Sequence, residues 1–248
     1  MSETLRRKGV VGTLGDAIAW LRRNPVLIVI FFLHGLLELL GELLGSVGSL
    51  LGLLGFFVLL YIDGLVHVVG KREATGETVD LGRASSTVLG RFLSLIGIAI
   101  VYGLAVVVGF VFLILPGVYL AVRLSLAFPA CVIDEQNTFE SLSTSWSVAK
   151  GNLFKLLGIS LASFLVVAGA GIVTVLFTGV SDEFYLAFLA VTAVLTAVVS
   201  PIVQFAYARV YLENRPDSDS ASTAGDRRDD SWESTDGGSR SESEGVHW

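Results

Sequence analysis

Residues 25–69 read PVLIVIFFLHGLLELLGELLGSVGSLLGLLGFFVLLYIDGLVHVV, with no Lys or Arg and with His34, Glu38, Glu42, Asp63 and His67 as the only acids or histidines. A helix rises ~1.5 Å per residue and a bilayer core is ~30 Å thick, so about 20 apolar residues suffice to cross it. One helix over this whole stretch would overshoot the core twofold. A turn is therefore required, and Gly45-Ser46-Val47-Gly48-Ser49 is the natural place for it. The stretch is predicted to be a transmembrane hairpin.

Working outward, six spans satisfy the same rule: Pro25 to Leu44, Ser49 to Val69, Phe92 to Leu115, Gly117 to Ile133, Asn152 to Thr178 and Phe184 to Tyr211. Apolar residues make up 53% of the chain and charged residues 16%, with a mean hydropathy of +0.72. Soluble domains carry roughly 25% charged residues, and a soluble globule could not hide this surface. The fold class is all-α, a polytopic membrane bundle of six transmembrane helices with short interfacial helices. Three regions are expected: a cytoplasmic N-terminus (1–24) with an amphipathic helix, the six-span domain (25–212), and a disordered acidic cytoplasmic tail (213–248).

Orientation follows from the cations. Of 17 Lys and Arg, all but Arg123 fall in the N-terminus, in the connections after spans 2 and 4, or at and beyond the end of span 6. The opposite turns, around Gly45, Pro116 and Ser181-Asp182-Glu183, carry none. The positive-inside rule then puts both termini in the cytoplasm of a multi-pass cell-membrane protein. The apolar run from Val26 is too long for a signal-peptide core and is expected to be retained. From Pro216 to Trp248, nine acids and three arginines leave a net −6, while residues 1–215 balance. Such a segment buries too little surface to order itself. Four lysines against thirteen arginines, with Asp-rich solvent segments, suit a high-salt cytoplasm.

Each pair of spans is introduced by an amphipathic segment. Gly12 to Arg23 places Leu14, Ala17, Ile18 and Leu21 on one helical face, with Asn24 able to cap the next helix and Pro25 suited to its first turn. Leu81, Ala84 and Val88 form a weaker version before Arg91. Asn137 followed by Glu140 reads as a capping box, with Phe139, Leu142, Trp146 and Ala149 as the apolar face. Gly90, Leu95, Ile96, Gly97 and Ile98 recur as Gly151, Leu156, Leu157, Gly158 and Ile159, a constant offset of 61. The chain reads as three units of connector helix plus hairpin. Such helices suit the headgroup layer, where arginines meet anionic lipid, but they also suit ordinary cytoplasmic connection.

Ionisable residues within apolar spans are costly unless paired or hydrated. His34, Glu38 and Glu42 share a face of span 1. Arg123 and Glu38 each lie six residues from the outer end of their span, ~9 Å deep, so the expectation is a pair between them or between Arg123 and Glu42. Such a pair would either set helix packing or line a polar pocket. Three ligands along one helix spread over ~12 Å, too far to converge on a metal. Toward the cytoplasm, Asp63 and His67 share a face of span 2, with Gln204 and Arg209 approaching from span 6. Gly41 with Gly45 and Gly48 with Gly52 have small-xxx-small spacing, for packing within the chain or alternatively a homodimer. Pro116 marks a turn, and Pro129 and Pro201 mark kinks.

The stretch Leu115-Pro116-Gly117-Val118-Tyr119-Leu120-Ala121-Val122-Arg123, followed by Phe128-Pro129-Ala130, Asp134-Glu135, Glu140, Ser145-Trp146 and Gly151, resembles the glycerophosphoryl diester phosphodiesterase membrane domain family. There a Pro-Gly-x-Tyr-x-x-x-Arg stretch opens a span, and an acidic turn leads into an amphipathic helix with Ser-Trp and a Gly before the next span. The resemblance implies the fold and a lipid-proximal location. Some members join this domain to a soluble phosphodiesterase; that domain is absent here, so esterase activity is not expected.

No Gly-rich phosphate loop, His-Glu-x-x-His or Gly-x-Ser-x-Gly occurs, and the single Cys131 excludes an internal disulfide. No catalytic residue, cofactor, metal or nucleic-acid partner is expected; membrane lipids are. Two functions remain: a non-enzymatic module that binds or organises lipid, or a small secondary transporter using Glu38, Asp63 and Arg123.

Overall fold

The computed structural model describes residues 6–45, 48–179 and 182–215. The chain divides into a helical unit, Met1–Asn214, and a second unit, Arg215–Trp248. The sequence places a disordered acidic tail in the second, and residues 216–248 lie outside the described residues. Ten helices make up the described part of the first unit: α1 Val10–Arg23, α2 Val26–Leu43, α3 Gly48–Thr75, α4 Leu81–Gly90, α5 Phe92–Phe112, α6 Ile114–Leu124, α7 Ala127–Ile133, α8 Thr138–Ala149, α9 Leu153–Thr178 and α10 Asp182–Asn214. α10 runs on through Glu213 and Asn214, which the sequence assigns to the tail.

Six of these segments are long and apolar enough to cross a membrane, with mean hydropathy from 1.6 to 2.7. They are α2, α3, α5, the α6–α7 pair, α9 and the part of α10 from Phe184. Large side chains such as Leu93, Val111, Phe112, Phe154, Leu176 and Phe177 point outward. That surface is unaffordable in water and natural against acyl chains, where each helix satisfies its own backbone. The protein is a multi-pass integral membrane protein. α1, α4 and α8 each precede a hairpin, as the threefold pattern predicts.

Close approach builds the hairpins. Gly45 takes φ +58°, the left-handed region that glycine enters without penalty, just beyond the end of α2. Across that turn a Cβ on Gly48 would fall 1.7 Å from the Gly41 carbonyl oxygen. The helices touch there by backbone. α5 and α6 are joined by Leu113 alone, in extended conformation, and a Cβ on Gly109 would lie 2.7 Å from the Gly117 Cα.

The fourth span is broken, at Ser125-Leu126, between α6 and α7. Pro129 has no N–H to offer the carbonyl of Ser125 four residues back, and its ring crowds that carbonyl. The break thus falls a turn before the proline. It is also the most enclosed of the six: Ala127, Pro129, Ala130, Cys131, Val132 and Ile133 are all buried, with α3, α5, α8 and α10 around them.

Two faces differ from the periodicity reading. In α1 the buried residues are Thr13, Ala17, Trp20 and Leu21, while Ile18 is exposed. In α8 they are Ser141, Leu142, Ser145, Val148 and Ala149, while Phe139 and Trp146 face outward. The capping box is present: Asn137 accepts from the backbone of Phe139 and Glu140, and Glu140 accepts from the Asn137 N–H. Asn24 does not cap α2. Pro25 occupies the cap position, and the Asn24 side-chain amide donates to the Trp20 carbonyl and to Glu73, a largely enclosed carboxylate.

Candidate functional site

The α6–α8 contact gathers the most unusual chemistry. Tyr119 and Arg123, at i and i+4, share a face of α6, and Ser145 and Trp146 meet them from α8. Ser145 Oγ donates to the Arg123 carbonyl oxygen at 2.9 Å, locking the two helices together just before the break. The Arg123 guanidinium carbon lies 4.5 Å from the Trp146 ring centre and 5.9 Å from that of Tyr119. The two rings meet edge to face, 6.2 Å apart. Both aromatic residues are 43% exposed and Arg123 only 5%.

The expected pairing of Arg123 with Glu38 or Glu42 is not found. A straight-helix count sets Arg123 level with Glu38, but the break re-aims span 4 and α8 covers the arginine. Among the described residues no carboxylate comes within 4 Å of it, and its enclosed Nε has no hydrogen-bond partner. A desolvated cation–π contact contributes about 2 kcal/mol. The rings thus offset part of the cost of the charge. They accept nothing from its in-plane N–H edge, however.

The other ionisable groups of the spans lie apart from this cluster. His34 Nε2 is 3.0 Å from the Gly55 carbonyl oxygen, joining α2 to α3, with Glu38 3.7 Å away. Glu42 accepts from the Tyr185 hydroxyl at 2.6 Å, joining α2 to α10. Among the described residues no group of His, Cys, Asp and Glu is arranged to hold a metal. The side chains of Asp63 and Gln204 approach one another between α3 and α10, while Asp63 Oδ1 stays enclosed without a partner. His67 is fully buried beside them, against Gln204.

Arg209 belongs to a different cluster that sequence reasoning missed. It contacts Asp16 and Glu213, each at 3.0 Å; Lys8 reaches Asp16 at 2.7 Å and Lys155 reaches Glu213 at 2.5 Å. This chain of five charges ties α1, α9 and α10 together beneath Trp20, whose ring centre is 5.9 Å from Arg209. Nearby, Glu73 takes Arg23 and Asn24, Lys71 donates to the Ile133 carbonyl, and Tyr211 donates to Asp134. Arg209 and Glu213 are four residues apart and Lys8 and Asp16 eight, but the links that join the helices, Asp16 to Arg209 and Lys155 to Glu213, span far larger separations.

The remaining motif positions lie apart from this cluster. Pro116 sits in the first turn of α6, and Gly117 lies beneath the Phe110 ring. Glu135 turns the chain between α7 and α8 at φ 53° with its carboxylate 3.4 Å from Arg91. Gly151 lies in the turn after α8, with open space where a Cβ would be. Residues separated by up to a whole helix in sequence, Tyr119, Arg123, Ser145 and Trp146, thereby become one cluster.

Comparison with known proteins agrees with that motif. The family model for the membrane domain of glycerophosphoryl diester phosphodiesterase matches residues 100–229, over half of the chain and including every motif position named above. Neither a curated protein nor a solved structure matches the chain. The chain belongs to the family of the membrane domain of glycerophosphoryl diester phosphodiesterase.

Proposed function

We propose that the protein is a non-enzymatic membrane module that binds and organises anionic lipid, with both termini in the cytoplasm. The observation that carries this reading is the outward face of α8. Its small polar residues Ser141 and Ser145 are buried, while Phe139, 76% exposed, and Trp146 face outward. Aromatic side chains on an interfacial helix sit at headgroup level. Basic residues lie at the same connections: Arg83 is 80% exposed in its side chain, and Lys150 is exposed at the end of α8. Cations at that level attract anionic lipid by about 1 kcal/mol each. The exposed leucines of α2, Leu33, Leu36, Leu40 and Leu43, offer an apolar face that suits acyl chains.

The alternative, a small secondary transporter using Glu38, Asp63 and Arg123, gains nothing from their arrangement. Glu38 lies at the α2–α3 contact, Asp63 at α3–α10 and Arg123 at α6–α8.

The test is native mass spectrometry of protein released from mixed vesicles of phosphatidylglycerol and phosphatidylcholine. Phosphatidylglycerol should be enriched over its bulk share, and Arg83→Gln with Lys150→Gln should reduce that enrichment. A bound population equal to the bulk mixture would refute lipid selectivity. Orientation is tested by cysteines introduced at Ser2 and Ser243, both of which should react with an impermeant reagent only in inside-out vesicles.

A further inference from the structure

Arg123 raises a question that general lipid attraction leaves open: why a nearly enclosed cation stands in an apolar span without an anion. Its guanidinium is covered on one face by Trp146, and its own carbonyl oxygen is already taken by Ser145. Nε is enclosed and unpartnered among the described residues. A planar guanidinium stacked on an aromatic ring keeps its N–H fork free in the ring-parallel plane, the geometry that takes two oxygens of one phosphate. Tyr119 and Trp146, each 43% exposed, form the border of the cluster toward the surroundings, and Lys150 stands one helical turn beyond Trp146.

The chain carries its own control for whether packing requires these residues. At the repeat offset of 61, Tyr119, Arg123, Ser145 and Trp146 correspond to Val58, Ile62, Ala84 and Ser85. The earlier set does the same scaffolding work. α4 packs on α3 as α8 packs on α6, Ala84 is as fully buried as Ser145, and Ile62 is buried as Arg123 is. One copy of the unit thus seats its connector helix on the preceding span with neither an arginine nor a tryptophan at these positions, Tyr61 donating to Ser85 across the joint. The other spends an arginine and a tryptophan on the same joint. The charge and the indole are surplus to packing.

We infer that Arg123, Trp146 and Tyr119 form a discrete binding site for a phosphate oxyanion, supplied in the membrane by a phospholipid headgroup. This deepens the lipid-binding reading and rests on it, but it makes a separate claim: one tightly held phosphate, distinct from the looser shell gathered by Arg83 and Lys150.

The experiment compares the wild type with Arg123→Gln, Arg123→Lys and the double variant Arg123→Ile/Trp146→Ser, which transplants the residues that the preceding unit already packs. Each is titrated with phosphatidylglycerol in mild detergent and followed by native mass spectrometry at rising collision energy. In parallel, inorganic phosphate is followed by phosphorus NMR line broadening. The wild type should retain one phosphatidylglycerol per chain after all others are stripped. Losing a charge-assisted fork should weaken that lipid about tenfold to a hundredfold in Arg123→Gln and in the double variant. Arg123→Lys, which keeps the charge and loses the fork, should fall between. The double variant keeps the test decisive should Arg123→Gln fail to fold. Phosphate broadening lost with Arg123 while lipid retention is unchanged would support the site and assign it to a soluble phosphoryl compound. If the wild type and the double variant hold the same tight lipid and broaden phosphate equally, the proposal is overturned, although the reading built on the connector cations stands. Absence of any anionic preference, tight or loose, would overturn both.

Discussion

Replacing Glu213 by glutamine should be among the most damaging single changes in the protein. The Glu213 side chain is fully enclosed and holds two cations, Lys155 at 2.5 Å and Arg209 at 3.0 Å. Removing one partner of a buried ion pair costs about 3–5 kcal/mol, because the other charge stays desolvated. Two features reduce that here. Arg209 keeps Asp16 at 3.0 Å, and its Nε faces Glu213 without an aligned hydrogen bond. Lys155, 13% exposed, has a flexible stem that can carry its ammonium toward water. The expected loss is therefore about 2–4 kcal/mol. Lys155→Gln leaves Glu213 with Arg209 and should cost roughly 1–2 kcal/mol. The double variant should cost less than the sum by about 1 kcal/mol, since the second change removes a group already orphaned by the first. Reversible unfolding in mixed micelles reads all three. A Glu213→Gln loss under about 1 kcal/mol would refute the reasoning, because the cluster would then behave like solvent-exposed pairs.

Three further outcomes are expected. Gly48→Ala, whose Cβ would lie 1.7 Å from the Gly41 oxygen, should sharply reduce folded yield on gel filtration, whereas Gly52→Ala, with nothing within 4 Å, should not; equal yields would remove the backbone contact from the account. Gln204→Leu strips Asp63 of its side-chain partner and should destabilise by about 1–3 kcal/mol, while Asp63→Leu/Gln204→Leu should recover most of that in the same unfolding assay, since both polar groups are then gone. Asp80 caps α4 by accepting from the Gly82 and Arg83 N–H groups, and the Arg83 backbone N–H foremost holds its carboxyl below the usual carboxylate range. The folded pKa is depressed, so the cap's contribution is present above the unfolded value of about 3.9 and lost as pH falls through the folded one; amide exchange in α4 should quicken below about pH 4 in the wild type and be already fast in Asp80→Ala.

The spans were legible because length and hydropathy alone select them, and the capping box at Asn137 because its two partners lie three residues apart. Periodicity groups the apolar side chains of α1 and α8 on one face but does not say which of them pack inward and which meet lipid. In a bilayer the outside is apolar as well, so Phe139 and Trp146 can face it while the small Ser141 and Ser145 go inward, Ser145 donating to the Arg123 carbonyl of α6. Arg123 was misplaced because residue counting treats span 4 as a rod. Pro129 was recognised as a kink, but where a kink sends the side chains before it is a matter of packing. Partners such as the Gly55 carbonyl for His34 are backbone atoms, which no residue pattern reveals.

The two ends of the bundle are held by different forces, and the charge asymmetry of the sequence is the origin of that difference. Where the connector helices join, the cations that would set orientation are drawn into structure: Arg23 on Glu73, Arg91 on Glu135, Lys155 and Arg209 on Glu213, Lys71 on the end of α7. At the opposite turns no cation exists to be paired, and cohesion comes from glycine-mediated contact at Gly41–Gly48 and Gly109–Gly117 with the Tyr185–Glu42 hydrogen bond. Backbone contact of that kind tolerates no added atom, whereas an ionic network can exchange partners. Arg123 fits neither pattern. It is the one cation outside the basic segments, and among the described residues it is met by aromatic rings alone, where Arg23, Arg91, Lys155 and Arg209 each meet a carboxylate. A cation whose sole role was to fix helices would be expected to have acquired a counter-charge, as its counterparts did. One that must accept an anion from outside has reason to keep its N–H edge unclaimed.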